Sequence, residues 1–464
     1  MEKQWGFRSD AGTNGKGTWG VPRKLGLTVA LALGALAFAA CGDDETTSEP
    51  TSATTSTSVE GLDLASCAEP EYGGEGEPAG LIVSDLPMQG DSATRSAQQV
   101  EAIRIVLEDA GWKAGDTPVA FQSCDDSLAD TGLWDEKTCE ENANAYAADE
   151  RVLAVVGTYN SGCAAIEIPI LGEAGVAMIS PGNTAVCLTE ISTICEDGQP
   201  DSLYPGERNY ARVIPNDAFQ GAALATHAAD LGAMSPFIAY AADDSTSTGQ
   251  AENFRGAAEE LGLEVTGFET WDPEAKDYAD LFADAKKAGA DSVVLAGLTE
   301  QNAAAVIEAK VKALGDNSKA PLIAFDGLAQ QSTIDEAGKA AEGMYAGLPG
   351  LTADELPEAG KELVSELESR LGGEPIEQFA PYAGQAAEVA LDAIEAGGTD
   401  RAAVAAALFG MRVDDGIVGG FEITDSGDPS AGPITILEAG TSFEPAKSID
   451  PLPDVVTAAR EGGS

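Results

Sequence analysis

Short apolar runs alternate with stretches of helical periodicity through most of the chain. Runs of four or five nearly unbroken apolar residues between helices are typical of parallel strands that are covered on both faces. Two such series predict an α/β protein with two lobes. The predicted strands are 80–83, 119–121, 152–156, 176–179, 237–240, 264–268, 292–295 and 322–324. The predicted helices are 98–107, 139–148, 250–261, 278–288 and 300–314, with another after Ser161.

The composition is strongly acidic. The 464 residues include 78 Asp and Glu against 26 Lys and Arg, which gives a formal net charge of −52. No cluster of basic residues interrupts this charge, so we expect no nucleic-acid partner. The hydrophobic fraction of 44% is ordinary for a globular protein. We therefore expect the acidity to serve solubility outside the cell and not ligand recognition.

The N-terminal residues have the pattern of a secretory signal. A basic pair precedes the apolar run 25–40, which is short for a transmembrane helix. Cys41 follows two alanines, as in a bacterial lipobox, so we predict a signal peptide at 1–40 and a lipid anchor on Cys41. The segment 41–65, rich in Ser, Thr and acids, is predicted to be a flexible tether on the extracytoplasmic face of the membrane. Loss of residues 1–40 takes a net charge of +3 from −52 and leaves −55.

Six cysteines follow Cys41, an even number typical of disulfides in exported proteins. The short, loop-like spacing between Cys187 and Cys195 favours a bridge between them. The absence of Cys-x-x-Cys and the presence of a single histidine argue against zinc, and we expect neither a metal nor a cofactor. The cysteines whose pairing stays open are Cys67, Cys124, Cys139 and Cys163.

The single histidine also bears on catalysis. His227 lies in a helical stretch at 222–231, with no acid recognisably placed to orient it as a general base. A hydrolase would have to pair it with Ser92, which follows Gly90 and Asp91. We therefore expect no enzymatic activity, and an exported hydrolase that uses Ser92 and His227 is kept as an alternative.

Seven short motifs follow one another along the chain, at 155–162 (VVGTYNSG), 174–184 (AGVAMISPGNT), 210–221 (YARVIPNDAFQG), 243–245 (DDS), 277–278 (DY), 296–298 (AGL) and 325–327 (FDG). In this order they resemble the branched-chain amino-acid (Leu/Ile/Val-binding) type of ABC transporter substrate-binding lipoprotein, a type I periplasmic binding protein. The resemblance runs from about residue 80 to about residue 437.

This resemblance implies a fold and its division. Two Rossmann-like lobes with parallel sheets would be joined by a three-crossover hinge, and a ligand would bind in the cleft and close it. Lobe I would comprise 66–216 and 345–428, and lobe II would comprise 217–344 and 429–464.

The resemblance also implies a ligand site. Ser161 lies between a strand and a helix, where its hydroxyl and the helix N-terminus suit a carboxylate. Gly182 and Thr184 match positions that offer backbone and hydroxyl groups. Asp326 matches an acidic position that pairs with an ammonium group. The remaining predicted ligand-binding residues are Tyr159, Asn160, Gln89 and Leu298.

Two positions depart from the family's pattern. The aromatic residue near the first loop is replaced by Met88 or Gln89, and the Tyr-Gly that often follows 243–245 is replaced by 246–249. We predict a monomeric solute-binding component of an ABC importer that captures a small amino-acid-like ligand and presents it to a membrane permease. A branched-chain or related amino acid is the ligand class we predict, the two departures would also suit a more polar ligand than leucine, and amides, short peptides and organic acids remain open. A ligand-sensing receptor is an alternative.

Overall fold

The computed structural model describes residues 59–463, apart from residues 130, 196–197 and 431 and the side chain of Asp91. The predicted signal peptide, Cys41 and the tether up to residue 58 lie outside the described residues. Among the residues described, no helix is long and apolar enough to cross a membrane.

Fifteen strands and twelve α-helices make up the described part of the chain. The strands are β1 Gly80–Leu86, β2 Lys113–Ala114, β3 Thr117–Asp125, β4 Val152–Gly157, β5 Ala177–Ser180, β6 Tyr210–Arg212, β7 Pro236–Ala241, β8 Gly267–Trp271, β9 Ser292–Ala296, β10 Leu322–Ala324, β11 Tyr345–Pro349, β12 Arg412–Gly416, β13 Gly419–Glu422, β14 Ile434–Ala439 and β15 Phe443–Ile449. The helices are α1 Ala93–Asp109, α2 Glu136–Ala148, α3 Ser161–Glu173, α4 Asp217–Leu231, α5 Ser245–Glu260, α6 Ala279–Ala288, α7 Ala303–Leu314, α8 Gln331–Ala337, α9 Glu358–Arg370, α10 Ala380–Gly397, α11 Arg401–Ala407 and α12 Pro453–Glu461.

Two sheets define two lobes. The sheet of lobe I has the order β2-β3-β1-β4-β5-β6, and the sheet of lobe II has the order β15-β14-β11-β10-β9-β7-β8. Neighbouring strands pair in parallel except at β2–β3, β11–β14 and β14–β15. Every residue of β1, β4, β5 and β9 is buried, because helices cover both faces of each sheet. The predicted α/β fold with two parallel-dominated sheets is confirmed.

The chain passes between the lobes three times, after β6, after β11 and between β13 and β14, and β12 and β13 form a separate two-stranded antiparallel sheet. The last strand before the second passage, β11, pairs in parallel with β10 and antiparallel with β14. The predicted return to lobe I at residue 345 is therefore wrong, because these hydrogen bonds place 345–349 in the sheet of lobe II. We infer that lobe I resumes after Pro349.

A buried arginine ties together segments that flank two of these passages. Arg212, fully buried at the end of β6, donates its Nε–H to Oδ1 of Asp428 at 2.6 Å. Its Nη1 donates to the carbonyl of Asn183 at 3.0 Å and its Nη2 donates to the hydroxyl of Thr189 at 2.5 Å. Charge-assisted hydrogen bonds of this kind are strong in a buried setting. They fix the loop after β5 to the strand that leads into lobe II.

Candidate functional site

The amino end of α3 forms one wall of a cavity between the lobes. Asn160 keeps an extended backbone and makes no side-chain cap, so α3 begins at Ser161 with its first N–H groups uncapped by that side chain. The Ser161 hydroxyl oxygen accepts hydrogen bonds from the backbone N–H groups of Thr184 and Ala185, both at 3.2 Å. These bonds occupy its lone pairs, so the hydroxyl proton is free to be donated to another acceptor. The hydroxyl of Ser161 and the amino end of α3 can therefore both donate hydrogen bonds to a carboxylate.

The loop after β5 is locked against this wall. The hydroxyl oxygen of Ser180 accepts hydrogen bonds from the N–H groups of Gly182 at 3.1 Å and Asn183 at 2.8 Å. The side-chain amide of Asn183 donates to the carbonyl of Tyr159 at 2.9 Å. A Cβ on Gly182 would lie 2.6 Å from Cδ2 of Tyr159, so glycine is required for this close approach. The two loops of lobe I are therefore held as one rigid surface.

The opposite wall carries Asp326 of lobe II, which forms a pair of buried carboxyl groups with Asp217 behind it. Oδ1 of Asp326, which follows β10, accepts hydrogen bonds from the side-chain amides of Gln220 at 2.8 Å and Gln250 at 3.1 Å. The same two amides donate to Oδ1 of Asp217, each at 3.1 Å. Both acids are nearly inaccessible, with 5% and 1% of their surface exposed. Neither carboxyl group forms an ion pair with a described residue, and Arg212 and Arg95 lower the pKa values of Asp217 and Asp326 only through longer-range charge.

The environment of this pair raises both pKa values. Burial raises the pKa of Asp326 to about 6. Burial and then the nearby charge of Asp326 raise the pKa of Asp217 to about 8. Loss of hydration disfavours the charged carboxylates, and their mutual repulsion makes a second charge harder to accept. At neutral pH Asp217 and Asp326 therefore hold one proton between them, and a bound cationic group would take the place of that proton.

Two aromatic side chains complete the walls. A Cβ on Gly162 would lie 2.3 Å from Cζ2 of Trp134, so the indole rests directly on the first turn of α3. The ring of Tyr159 packs under the guanidinium of Arg95, whose Cζ lies 4.0 Å from the ring centroid, and against the ring of Phe379 at 5.3 Å. The motifs did not predict Trp134, because it lies between β3 and α2, away from both positions at which the family's aromatic residues are replaced.

These walls line a cavity of about 30 Å³ that is partly open to solvent. That volume holds about two water molecules, so the lobes lie close together around it. Seven of the eight predicted ligand-binding residues line it: Tyr159, Asn160, Ser161, Gly182, Thr184, Leu298 and Asp326. The lining residues that were not among the predicted ligand-binding residues are Trp134, Gly162, Asp244, Thr246, Ser247, Gln250, Gly297 and Gly327. None of the described lining residues is basic.

Gln89 is the exception among the eight. Its side-chain amide donates to Oδ2 of Asp125 at 2.7 Å and to the carbonyl of Ser127 at 3.1 Å, and it is not part of the lining. Both partners lie at the end of β3 and in the loop after it. Gln89 therefore ties two loops of lobe I together, a contact that a motif match cannot distinguish from ligand contact.

Asp244 lines the cavity but its carboxylate is already satisfied. It caps α5 by accepting the N–H of Thr246 at 3.0 Å, and it accepts the hydroxyl of Ser247 at 2.6 Å and the amide of Gln301 at 3.0 Å. This arrangement is typical of a helix N-cap. Asp326 therefore offers the more available charge of the two.

The two residues of the hydrolase alternative do not meet. The Ser92 hydroxyl donates to Oε1 of Glu300 at 2.8 Å and accepts a hydrogen bond from Arg95. Neither ring nitrogen of His227 has a hydrogen-bond partner among the described residues, and its ring packs edge-on against Tyr345. Burial lowers the pKa of His227 to about 4. The pairing of Ser92 with His227 that a hydrolase would need is therefore not formed.

Three disulfides join the six cysteines that follow Cys41. The bridge between Cys187 and Cys195 closes a loop beside the cavity. The other two bridges, which the sequence left open, are Cys67–Cys124 and Cys139–Cys163.

Two lobes with a cavity between them, lined by a hydroxyl group, a helix N-terminus and a buried carboxyl group, are typical of a ligand-binding protein. The chain belongs to the periplasmic binding protein family, whose model matches residues 84–440. By family and fold it is a solute-binding protein and not an enzyme.

Individual proteins of this kind share low identity with the chain. It is 25% identical over 386 residues to the Leu/Ile/Val-binding protein homolog 2 of Brucella abortus (strain 2308), covering 80% of this chain and 93% of that relative. A leucine-binding protein of Thermotoga maritima superposes with a TM-score of 0.69 at 23% identity, covering 81% of this chain and 99% of that one. A solute-binding protein of R. palustris in complex with benzoate has a TM-score of 0.65 at 18% identity, covering 80% and 97%. Both solved structures are similar to this chain in fold.

Proposed function

We propose that this protein captures a small amino acid as a zwitterion and delivers it to the membrane permease of an ABC importer. The observation that carries the proposal is the placement of Ser161 and Asp326 on opposite walls of one cavity. Each wall comes from a different lobe. A ligand with a carboxylate and an ammonium group would therefore bridge the lobes and favour their closure.

The Ser161 wall would take the ligand's carboxylate. Its hydroxyl proton is free, and the uncapped N–H groups at the start of α3 present partial positive charge. The N–H of Gly182 is held by Ser180 and is not counted among these donors. The described lining residues include no arginine or lysine, so these neutral donors alone would bind the carboxylate.

Asp326 would take the ligand's ammonium group. The acid is buried, carries a raised pKa and is bonded only to neutral amides at its side chain. An ammonium group removed from water needs a charged partner, and a buried carboxylate pair needs a cation. The two requirements are met by one contact.

Export and anchoring complete the proposal. The pattern at 25–41 supports cleavage before Cys41 and a lipid anchor on its sulfur, with the tether holding a monomeric binding protein near its permease. The names of the relatives in Brucella support leucine, isoleucine or valine as ligands of that family branch.

An aromatic carboxylate is the second candidate. Trp134 and Tyr159 give the cavity two aromatic walls, and a protein of similar fold is in complex with benzoate. The buried pair of Asp217 and Asp326 opposes this candidate, because a ligand without a cation would leave both acids unpaired. The amino acid therefore satisfies more of the site.

A thermal-shift panel of amino acids, amides and organic acids tests the proposal on the purified protein. A ligand at a hundredfold excess over its Kd raises stability by about 2.7 kcal/mol. We expect amino acids to raise the melting temperature, and Ser161→Ala and Asp326→Asn to abolish the shift. The matched controls are Ser365→Ala on α9 and Asp280→Asn on α6, both exposed. If benzoate shifts the melting temperature and no amino acid does, the proposal is wrong.

A further inference from the structure

A second cavity adjoins the ligand cavity beneath the disulfide loop 187–195. It has a volume of about 70 Å³ and shares Ser161 and Thr246 with the first cavity as common wall. It holds about five water-sized groups. Ala165, Val186 and Leu188 give it an apolar side.

Two buried acceptor atoms on the wall of this cavity lack a donor. Oδ2 of Asp217 has no partner at hydrogen-bond distance and angle among the described residues, although the nearby Thr184 side chain lowers the pKa of this acid and its Oδ1 is bonded to Gln220 and Gln250. Oδ1 of Asn253 also has none, whereas its Nδ2 donates to the carbonyl of Ala459 at 2.7 Å, which fixes the orientation of the amide. Each of the two side chains is only 1% exposed. Buried acceptors are nearly always paired, so both atoms call for a donor.

The charge of the surrounding walls defines the donor. The described residues that line either cavity include Asp217, Asp244 and Asp326 but no lysine, arginine or histidine. A second anionic group would meet like charge here, whereas a cation or an N–H donor would satisfy the free oxygens. The apolar side of the cavity suits a short methylene chain that leads to such a group.

We propose that the second cavity is a subsite for the side chain of a basic amino acid, whose terminal ammonium or guanidinium group binds Oδ2 of Asp217 and Oδ1 of Asn253. The proposal rests on the proposed function and names its ligand class. The carboxylate would remain at Ser161 and the α-ammonium at Asp326, while the methylenes lie along Ala165 and Leu188. The full ligand would then carry a net positive charge, opposite to that of the cavity walls.

Calorimetric titration of the purified protein tests this subsite with pairs of probes matched in chain length. L-ornithine and L-lysine carry the terminal ammonium, and L-norvaline and L-norleucine lack it. We expect each basic probe to bind at least about tenfold more tightly than its neutral partner, the gain of one charge-assisted contact. Asp217→Asn should remove this preference, because it deletes the charge that the terminal group would bind. The exposed variant Asp280→Asn should keep the preference.

A second variant guards against a folding defect in Asp217→Asn. Ala165 is a half-buried residue of α3 that lines the second cavity and not the first, so Ala165→Leu should fill the second cavity alone. This variant should bind ornithine and lysine more weakly and bind L-alanine with unchanged affinity. Equal affinity for lysine and norleucine would overturn the subsite, and a preference that survives both variants would place the contact of the basic group elsewhere in the protein. Absence of binding by every amino acid, the neutral ones included, would instead refute the proposed function.

Discussion

Ser92 in lobe I and Glu300 in lobe II are joined by a buried hydrogen bond. The hydroxyl of Ser92 donates to Oε1 of Glu300 at 2.8 Å, and Nη2 of Arg95 lies 2.8 Å from the same hydroxyl oxygen and 4.0 Å from the carboxylate. The side chains of Arg95 and Glu300 are 4% and 2% exposed. Opening of the cleft must break this bond, so it stabilises the closed arrangement of the lobes.

Removal of the Ser92 hydroxyl should therefore weaken ligand binding, although Ser92 does not line the ligand cavity. A hydrogen bond to a charged group contributes about 1.5–3 kcal/mol, so Ser92→Ala should raise the Kd by about tenfold or more. The increase should appear mainly in the dissociation rate, measured by stopped-flow fluorescence. Ser365→Ala on the exposed face of α9 is the control. An unchanged Kd and dissociation rate in Ser92→Ala would contradict a role in closure.

The contact between Gly162 and Trp134 predicts a steric effect on the ligand cavity. A Cβ at position 162 would lie 2.3 Å from the indole, so Gly162→Ala must displace Trp134 from the start of α3. We expect a loss of affinity of at least about tenfold, corresponding to about 1.4 kcal/mol, measured by calorimetry. Gly206→Ala has open space around its new methyl group and should bind normally. Normal binding by both variants would show that Trp134 does not shape the site.

Ligand binding should depend on pH through the buried carboxyl pair. In the empty protein the pKa of Asp217 is raised to about 8 and that of Asp326 to about 6. An ammonium group binds the ionised acids, so binding expels protons and affinity should rise by up to about tenfold per pH unit for each proton, levelling off above about pH 8. Calorimetry in buffers of different ionisation enthalpy measures the released protons. A constant Kd with no proton release would argue against this coupling.

The stability of the empty protein should show the opposite trend. The folded Asp217 carboxyl keeps its proton up to about pH 8, whereas the unfolded chain loses it near the ordinary value of 3.8. The folded state therefore binds more protons in that window, and stability falls as pH rises through it. Denaturant titrations at several pH values should show this fall in the parent and a smaller one in Asp217→Asn. The same slope in both proteins would assign the effect to other groups.

The disulfide loop predicts an effect on stability that is separate from the ligand. The loop closed by Cys187 and Cys195 contacts α12 of lobe II, where the hydroxyl of Ser192 donates to the carbonyl of Arg460 and Arg460 pairs with Glu190. Replacement of both cysteines by serine should cost about 2–3 kcal/mol for a loop of this length. Guanidinium titration measures the loss. A change below about 0.5 kcal/mol, the range of ordinary surface substitutions, would mean that the loop is ordered without its bridge.

Local signals predicted most of the fold. The strands that β1, β4, β9 and β10 contain were visible as apolar runs, because buried parallel strands are apolar at every position. The return to lobe I was misplaced, because β11 has the same apolar character in either sheet and only its pairing with β10 and β14 assigns it.

The site was predictable where its residues lie in motifs. Ser161, Gly182 and Asp326 follow strands directly, and the carboxyl ends of parallel strands meet at the cleft. Trp134 and Asn253 could not be found in this way, since the first lies in a loop between elements and the second lies within α5. Their place at the cavities depends on how separate elements pack, which no local pattern records.

The most direct test of the central claim is a calorimetric comparison of one amino acid with analogues that lack each charged group. L-norleucine carries both groups, hexanoate lacks the ammonium and pentylamine lacks the carboxylate. Because Ser161 and Asp326 lie on different lobes, we predict that only norleucine binds measurably and that Asp326→Asn abolishes its binding. Binding of hexanoate as tight as that of norleucine, in the parent and in Asp326→Asn alike, would contradict recognition of a zwitterion between the lobes.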